Sequence, residues 1–295
     1  MPEQKPLKFL FIINPIAGGK NKDEWETAIH EYFHDTSHTI DFHILTGEND
    51  ETAVKKSIDD KKPDRAVAVG GDGTVTMVAK LIRNTPIALG ILPAGSANGM
   101  AKELEIPATV KEALDISVTG ISTRIDMIEI NDEICLHLSD IGLNAQLIKY
   151  FEEGKLRGKA GYAKVLLKVL WNKQMMEVII GSKEKEIRRK AFMVVLANAS
   201  KYGFGAVINP ESKLDDGFFE VIVIRRLALS ELLKMIFKPQ PFNPKKIEVF
   251  HARAVSIETI KRAHFQVDGE YLGKVKKIKG TILEKSLSIL LPPDK

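Results

Sequence analysis

Continuous apolar runs alternate with amphipathic segments along the first 125 residues of the chain. Apolar runs of four to eight residues are typical of strands buried on both faces, and they predict strands at 8–13, 40–45, 66–69 and 87–92. The amphipathic segments predict helices at 23–33, at 50–58, after Thr74 and up to Leu104. This alternation indicates a parallel, doubly wound α/β domain, whose ligand loops gather at the carboxyl ends of the strands.

The pattern changes after about residue 125. A strand is predicted at 132–139, followed by helices at 144–153 and 160–171. Strand-like runs rich in Val and Ile then dominate, interrupted by one predicted helix at 230–237; they lie at 176–180, 190–197, 218–224, 247–257, 264–267 and 287–291. Alternating apolar and polar residues favour an antiparallel, β-rich, sandwich-like domain. We therefore expect two domains, residues 1–126 and 127–295, where the last residues can pack back on the first domain.

Composition and charge narrow the functional class. The chain has 295 residues, of which 28% are charged, and its net charge is +4. This excess is too small to indicate nucleic acid, but it suits an anionic nucleotide or an anionic membrane surface. The single Cys135 argues against disulfides and indicates a reducing compartment. No run approaches the roughly 20 apolar residues that span a bilayer. We expect a cytoplasmic protein that meets membranes only peripherally.

The sequence GGDGT, residues 70–74, separates a predicted strand from a predicted helix. Glycines allow a sharp turn and a close approach to a ligand, and the amides at a helix N-terminus favour an anion such as phosphate. Asp72 would repel phosphate unless a cation intervenes or the carboxylate handles a proton. The loop is therefore a candidate for phosphoryl transfer, with Gly70, Gly71, Gly73 and Thr74 at the nucleotide and Asp72 in catalysis. A tight turn without a ligand is the alternative.

Two more loops follow predicted strands at the same edge. Asn14 and Pro15 precede Gly18, Gly19 and Lys20, which could hold a phosphate group and neutralise its charge. LPAGSANGMA, residues 92–101, offers Ser96 and Asn98 at the start of a helix, where both are also ordinary N-cap residues. Taken alone, the first of these loops would more readily be an ordinary connection between a strand and a helix.

Two acidic turns mark the second domain. QVDGE, residues 266–270, places Asp268 and Glu270 at a turn, although Asp-Gly is also the commonest signal for a plain hairpin. NPESKLDDGFFEV, residues 209–221, contains Asp216-Gly217, which a type I′ turn would explain equally well.

Six motifs together resemble the diacylglycerol and sphingosine lipid kinases: NPIAGGK, GGDGT, LPAGSAN, SDIGLNAQL, LDDGFFEV and VDGE occur in that family's order across nearly the whole chain. The resemblance implies an ATP- and Mg²⁺-dependent kinase that phosphorylates a lipid hydroxyl at a membrane surface. It implies that the distal acidic motif, Glu270 with Asp268, supplies the general base, and that Thr46 contacts nucleotide. It also implies that Asp216 and the carbonyl groups of Lys213 and Phe218 hold a structural Mg²⁺ ion.

Three positions depart from the family pattern. Thr76 and Met77 stand where bacterial relatives usually have Asn and Glu, and Gly99 stands where they often have Asp. Two alternatives therefore stay open: a catalytically lapsed regulator that binds lipid or nucleotide, and a kinase of a soluble acceptor such as NAD, although the chain lacks an N-E-[VI] pair placed for a dinucleotide ribose. The sequence does not specify the lipid. An edge strand of the β domain could form a homodimer.

Overall fold

The computed structural model describes residues 5–17, 22–153, 174–181, 186–202, 206–207, 213–227 and 242–293. The chain divides into two units, the first comprising Met1–Ile125 with Lys285–Lys295 and the second Asp126–Glu284. The helices predicted at 160–171 and 230–237 lie outside the described residues.

The first unit contains a parallel sheet. Its strands are β1 (Lys8–Ile13), β2 (Thr39–Ile44), β3 (Arg65–Gly70) and β4 (Ala88–Pro93). They lie in the order β4-β3-β1-β2, and the last part of a strand from the end of the chain adds to β4 in parallel, with Ser288 opposite Ala88. β1 and β3 are buried almost throughout, as their continuous apolar sequences predict.

Three helices connect these strands, namely α1 (Lys22–Phe33), α2 (Asp50–Lys61) and α3 (Asp72–Ile82), and two more, α4 (Gly99–Glu103) and α5 (Val110–Thr119), follow β4. α3 buries Val75, Val78 and Ile82 on one face, the spacing of an amphipathic helix. None of the helices in the described ranges combines the length and the hydrophobicity needed to cross a membrane.

The second unit is an antiparallel β structure with one described helix. Its elements are β5 (Ile121–Ile130, which begins in the first unit), β6 (Glu133–Cys135), β7 (Leu138–Gly142), α6 (Leu143–Glu153), β8 (Met176–Gly181), β9 (Glu186–Ala191), β10 (Met193–Ala197), β11 (Lys201–Tyr202), β12 (Ala206–Val207), β13 (Phe219–Ile224), β14 (Ile247–Ala252), β15 (Ala254–Val267) and β16 (Glu270–Leu291, which ends in the first unit). The main strand order is β14-β13-β10-β7-β15, and β8 and β16 both pair with β15.

One face of this sheet encloses a core that includes Val194, Phe219, Val221 and Phe265. Side chains of β10 and β13 on the opposite face, among them Val195 and Ile222, pack with Leu143 and Leu147 of α6. The central strands β10 and β13 are buried on both faces, so they depart from the alternation that the sequence predicts for this domain, whereas the burial of the outer strand β14 alternates. The predicted fold class, a doubly wound α/β domain followed by an antiparallel, sandwich-like β domain, is confirmed.

Several predicted strand boundaries were wrong, for a physical reason. The strand predicted at 132–139 is two strands, β6 and β7, because the amides of Leu136, His137 and Leu138 donate to the carboxylate of Asp268. The run at 247–257 divides at Arg253, whose carbonyl accepts a hydrogen bond from the amide of Ile282. Hydrophobicity alone does not reveal such long-range backbone partners.

Candidate functional site

The strand order of the first unit places a topological switch point between β1 and β3. Helical connections leave these adjacent parallel strands in opposite directions, so their carboxyl ends open a crevice where ligands of such sheets bind. Asn14 follows β1 and its amide donates to the carbonyl of Val69, 2.9 Å away. Its side-chain amide lies 3.4 Å from the hydroxyl oxygen of Thr74 on α3. The structure thus brings the first predicted loop against GGDGT.

A cavity of about 260 Å³ lies at this point, lined by Asn14, Leu45, Gly71, Gly73, Thr74 and Met77. Four of these residues belong to the predicted nucleotide set, whereas Leu45 and Met77 do not. Pro15 lies beside Asn14 and is half-buried. The predicted Gly18, Gly19 and Lys20 lie outside the described residues. α3 begins at the cavity, so its first amides and its helix dipole favour an anion there.

Asp72 connects the second and third loops. One carboxylate oxygen accepts a hydrogen bond from the amide of Gly99 at 2.9 Å, and the other accepts one from the amide of Met100 at 3.0 Å. These are the first two amides of α4, so Asp72 caps this helix from a position 27 residues earlier in the chain. Each carboxylate oxygen has a second lone pair, which can coordinate a cation or accept another hydrogen bond.

The third loop is closed by Asn98. Its side-chain oxygen accepts from the amide of Gly95 and its side-chain nitrogen donates to the carbonyl of the same residue, each at 2.8 Å. Asn98 adopts a left-handed conformation with φ of 49° and makes no side-chain cap to α4. Asn98 thus occupies the N-cap position of α4, as one interpretation of the loop predicted, but the side chain that accepts from the first amides of the helix is that of Asp72. Ser96 lies exposed at the tip of the loop.

Thr46 lies in an exposed loop that Asp50 fixes. The Asp50 carboxylate accepts hydrogen bonds from the amides of Thr46 and Gly47, each at 2.9 Å, and from the Thr46 hydroxyl at 3.1 Å. Desolvation alone would raise the pKa of Asp50, but these hydrogen bonds outweigh it and hold the pKa below its ordinary value. The Thr46 loop follows β2, at the same edge of the sheet as the other loops.

The acidic turn of the second unit is a two-residue hairpin loop between β15 and β16. Asp268 and Gly269 have φ of 47° and 90°, as a type I′ turn requires. The predicted hairpin is therefore present, but Asp268 does more than form a turn. Its carboxylate accepts hydrogen bonds from the amides of Leu136, His137 and Leu138 at 2.8, 2.9 and 3.0 Å.

The buried thiol of Cys135 also donates to Asp268, at 3.3 Å. Burial raises the pKa of this thiol well above its ordinary value, and the charge of Asp268 raises it further. Glu270 differs from Asp268 in exposure and in hydrogen bonding. Its side chain is exposed and has no hydrogen-bond or ion-pair partner within the described ranges. The structure therefore separates the two carboxylates into one that is fixed by the backbone and one that is available.

The predicted metal-binding residues lie in a turn before β13. Asp216 accepts a hydrogen bond from the amide of Phe218 at 3.0 Å, and the amide of Gly217 donates to the buried carboxylate of Asp126 at 2.7 Å. Only Gly217 has a positive φ, of 76°, so the type I′ interpretation of this turn was wrong. Lys213 and Phe218 lie on either side of it, both exposed.

No group of three or more His, Cys, Asp or Glu side chains that could hold a metal ion occurs within the described part of the chain. The Asp216 set does not depend on such a group, since it combines one carboxylate with two main-chain carbonyls. One oxygen of Asp216 accepts from the Phe218 amide, and the residue is exposed. Oxygen donors of this kind are the ligands that Mg²⁺ and Ca²⁺ take, so the residues fit such an ion.

Sequence reasoning missed the residues that hold the loops in place. Asp50, Asp126 and Gln266 each form hydrogen bonds that fix a predicted site residue or its neighbour. Asp140, which accepts a hydrogen bond from Gln266, is also buried. Gln266 lies in the QVDGE motif and Asp140 in the SDIGLNAQL motif. The sequence does not show that both are buried, which is what distinguishes them from ordinary polar residues on the surface of a sheet.

Comparisons with known proteins cover both units. Residues 8–130 match the family described as the diacylglycerol kinase catalytic domain, and residues 139–291 match that described as the YegS C-terminal NAD kinase beta sandwich-like domain. A protein named diacylglycerol kinase from Staphylococcus saprophyticus is 28% identical over 221 residues, which cover 72% of either chain. Its namesake from Staphylococcus epidermidis is 27% identical over 240 residues, covering 78% of this chain and 75% of the relative.

Solved structures show the same fold. A crystal structure of a diacylglycerol kinase from Bacillus anthracis matches 99% of each chain with a TM-score of 0.77 at 20% identity. An NAD kinase from Archaeoglobus fulgidus in complex with ATP matches 96% of this chain and 93% of its own, with a TM-score of 0.50 at 15% identity. At these identities the likeness concerns the fold alone.

Proposed function

The chain belongs to the diacylglycerol kinase family, and we propose that it transfers the γ-phosphate of ATP to the hydroxyl group of a lipid in a Mg²⁺-dependent reaction. The observation that carries this proposal is the convergence of the Asn14 loop and the Gly70–Thr74 loop on one cavity at the switch point of a parallel sheet. The curated relatives bear the name diacylglycerol kinase, which makes diacylglycerol the first acceptor to test.

The nucleotide phosphates would lie against the amides at the start of α3. Gly73 supports this placement, because a Cβ atom added there would meet no atom within 4 Å and the backbone is therefore open to a ligand. Asn14, Pro15, Thr46, Ser96 and Asn98 would contact other parts of the nucleotide, and Gly18, Gly19 and Lys20 would complete the phosphate site. Phosphoryl transfer depends mostly on positioning and charge stabilisation, which fixed loops supply.

Asp72 has two roles in this proposal. Its hydrogen bonds to the start of α4 hold the second and third loops together. The remaining lone pairs of its oxygens would serve the Mg²⁺ ion and the γ-phosphate, or the acceptor proton. A carboxylate fixed by two amides keeps its position when a charged ligand binds, which is the preorganisation that charge stabilisation needs.

Glu270 is the better candidate for the general base, and Asp268 fixes its turn. A base must reach the proton of the acceptor hydroxyl, and the Glu270 carboxylate is exposed with no partner within the described residues. Asp268 already accepts from three amides and one thiol, so a further role in proton transfer would break contacts that hold the turn. We therefore assign proton abstraction to Glu270 and alignment to Asp268.

Asp216 would bind Mg²⁺ together with the carbonyl groups of Lys213 and Phe218. When bound, the ion would supply positive charge that fixes the turn before β13. The buried Asp126 prepares this turn, since it holds the Gly217 amide in place without the ion.

A lipid acceptor requires peripheral contact with a membrane surface. The net charge of +4 favours an anionic surface. Between Glu258 and Ala263 the register of the β15–β16 pair shifts, and Ile260, Lys261 and Arg262 are all exposed there. An exposed apolar residue followed by two cations suits a bilayer interface. Co-sedimentation with vesicles that contain phosphatidylglycerol, compared with pure phosphatidylcholine vesicles, tests this contact.

The test of the proposed function is a panel of acceptors. Labelled ATP and Mg²⁺ are offered with mixed micelles of diacylglycerol, monoacylglycerol, sphingosine or phosphatidylglycerol, and in parallel with NAD in plain buffer. Label in a lipid supports the proposal and identifies the acceptor. Label in NAD alone would show a kinase of a soluble acceptor, and ATP binding without transfer to any acceptor would show a lapsed regulator.

A further inference from the structure

A buried chain of hydrogen bonds ends at the acidic turn. Gln266 and Asp140 are both fully buried. The side-chain nitrogen of Gln266 donates to Asp140 at 2.6 Å, and its side-chain oxygen accepts from the amide of Gly269 at 2.8 Å. Gln266 therefore links a buried carboxylate to the backbone of the turn that precedes Glu270.

Asp140 sets the orientation of this link. Asp140 also accepts hydrogen bonds from the amide of Ala145 at 2.8 Å and from the side-chain amide of Asn144 at 2.6 Å, both at the start of α6. All three groups donate, so an ionised Asp140 can only accept from them. The carboxamide of Gln266 must then present its nitrogen to Asp140 and its oxygen to Gly269, because the reverse orientation would place two acceptors against each other.

The turn is fixed by two independent contacts. Asp268 is fixed by the amides of residues 136–138, and Gly269 is fixed by Gln266. Glu270 follows directly, and its side chain alone in this turn is exposed without a partner within the described residues. Glu270 is the next residue in the chain, so a displacement of the Gly269 backbone would also move Glu270.

We infer that Gln266, oriented by Asp140, is a positioning residue for Glu270 that holds the proposed base at its working angle. This inference rests on the proposed function, because it concerns the base of that reaction. Gln266 itself is buried and does not touch the acceptor, so it acts only through Glu270. An apolar side chain of similar size would fill the same space, but it would leave the Gly269 amide without its acceptor and would remove one of the donors to Asp140 Oδ2, where Asn144 also donates.

The decisive variant is Gln266→Glu, which is almost isosteric but titrates. Its carboxyl group can replace Gln266 only when protonated, since it must donate to Asp140 while it accepts from Gly269. Burial and the charge of Asp140 would raise the pKa of the new group. Other titratable groups on the surrounding elements include Cys135, His137, Asp268, His264 and Tyr271, with Lys149 and Tyr150 on α6. The variant should therefore transfer phosphate at low pH and lose kcat as the pH rises.

The expected results form a pattern that a merely structural role would not produce. Gln266→Leu should lower kcat at least tenfold at every pH, with little change in the KM for ATP. Gln266→Glu should match the wild type at low pH and Gln266→Leu at high pH. Gln146→Glu makes the same chemical change on α6, away from the turn, and should keep the wild-type profile. A Gln266→Glu profile that parallels the wild type would overturn the inference.

Two further measurements separate this inference from the proposed function. In a Glu270→Gln background, Gln266→Leu should cause no further loss, because the residue acts through Glu270; losses that multiply would overturn the inference. Hydrogen exchange at the Gly269 amide needs no substrate. Its protection should fall in Gln266→Leu and, at high pH, in Gln266→Glu, and unchanged protection would overturn the inference even if the wild type phosphorylates no lipid.

Discussion

Gly71 and Gly95 face each other so closely that a Cβ atom on Gly95 would lie 2.4 Å from the Cα atom of Gly71. Real Cβ atoms do not approach backbone to this distance, so the second and third loops can touch only because position 95 is glycine; a Cβ atom on Gly71 would lie 3.2 Å from the Cα atom of Gly95, which is a tight contact. The contact reinforces the link that Asp72 makes to Gly99 and Met100. The geometry of the phosphate region therefore depends on two loops that are packed against each other without side chains.

Gly95→Ala should separate these loops. We expect it to lower the free energy of unfolding by about 1–3 kcal/mol and to weaken ATP binding, because the backbone must move to admit the methyl group. Gly73→Ala is the matched control, since a Cβ atom there meets no atom within 4 Å. It should keep or raise stability but weaken ATP binding if the cavity holds phosphate. Thermal unfolding and calorimetric ATP titration measure both. Full stability in Gly95→Ala would contradict the packing argument.

Asp72→Asn should abolish transfer and also destabilise the third loop. An asparagine oxygen can accept from one of the two amides, but its nitrogen would face the other donor. We expect the free energy of unfolding to fall by about 1–3 kcal/mol. Chemical denaturation and the transfer assay provide the two readouts. A variant that is both fully active and folded would refute the role of Asp72.

The free energy of unfolding should fall in mild acid through His43 of β2, which interacts with Asp50, the residue that fixes the Thr46 loop. Burial lowers the pKa of His43 from its ordinary value of 6.5, partly opposed by the charge of Asp50. A lowered folded-state pKa gives stability that is complete above pH 6.5 and is lost as the pH falls through the folded pKa. Asp50, also lowered, adds a second loss further into acid, below its ordinary 3.8.

His43→Gln should flatten this dependence between about pH 5 and pH 7, the range in which histidine titrates. His34→Gln makes the same replacement at a side chain that is 79% exposed and contacts Asp35, and it serves as the comparison. Unfolding temperatures of the three proteins at several pH values decide the matter. Equal slopes in wild type and His43→Gln would show that His43 does not titrate with folding.

Asp216→Ala should remove the response of the turn before β13 to Mg²⁺ while leaving the fold intact, because Asp216 is exposed. Asp215→Ala removes the same charge from the neighbouring exposed residue and should keep the response. The shift of the unfolding temperature on addition of Mg²⁺, without nucleotide, is the measurement. Equal shifts in both variants would exclude Asp216 as a ligand.

The sequence predicted those elements that depend on residues close together in the chain. The apolar runs of β1 and β3, the glycine loop between β3 and α3, and the hairpin at Asp268-Gly269 all depend on residues that are neighbours in the chain. The contacts that give these elements their roles are remote. Asp72 and Gly99 are 27 positions apart, and Asp268 and Leu136 are 132 positions apart. Such partners follow from the tertiary fold, so no pattern within either segment reveals them.

The same distinction explains the two carboxylates of VDGE. In sequence, Asp268 and Glu270 are equivalent candidates for a base. Only the folded chain shows that three consecutive amides occupy Asp268 and that Glu270 is exposed. We expect Asp268→Asn to lower the free energy of unfolding by about 1–3 kcal/mol, because the side-chain nitrogen of the asparagine would face at least one of the three amide donors. Denaturant titration measures this loss, and unchanged stability would contradict the structural role of Asp268.

The most direct test of the account is the rate at which labelled phosphate passes from ATP to diacylglycerol in mixed micelles, measured for the wild type and for Glu270→Gln. The account predicts labelled lipid from the wild type and a rate roughly 100- to 10,000-fold lower from Glu270→Gln, as for the loss of a general base, with an unchanged unfolding temperature. Transfer by Glu270→Gln at the wild-type rate would remove the proposed base. Label that enters NAD but no lipid would contradict the lipid kinase itself.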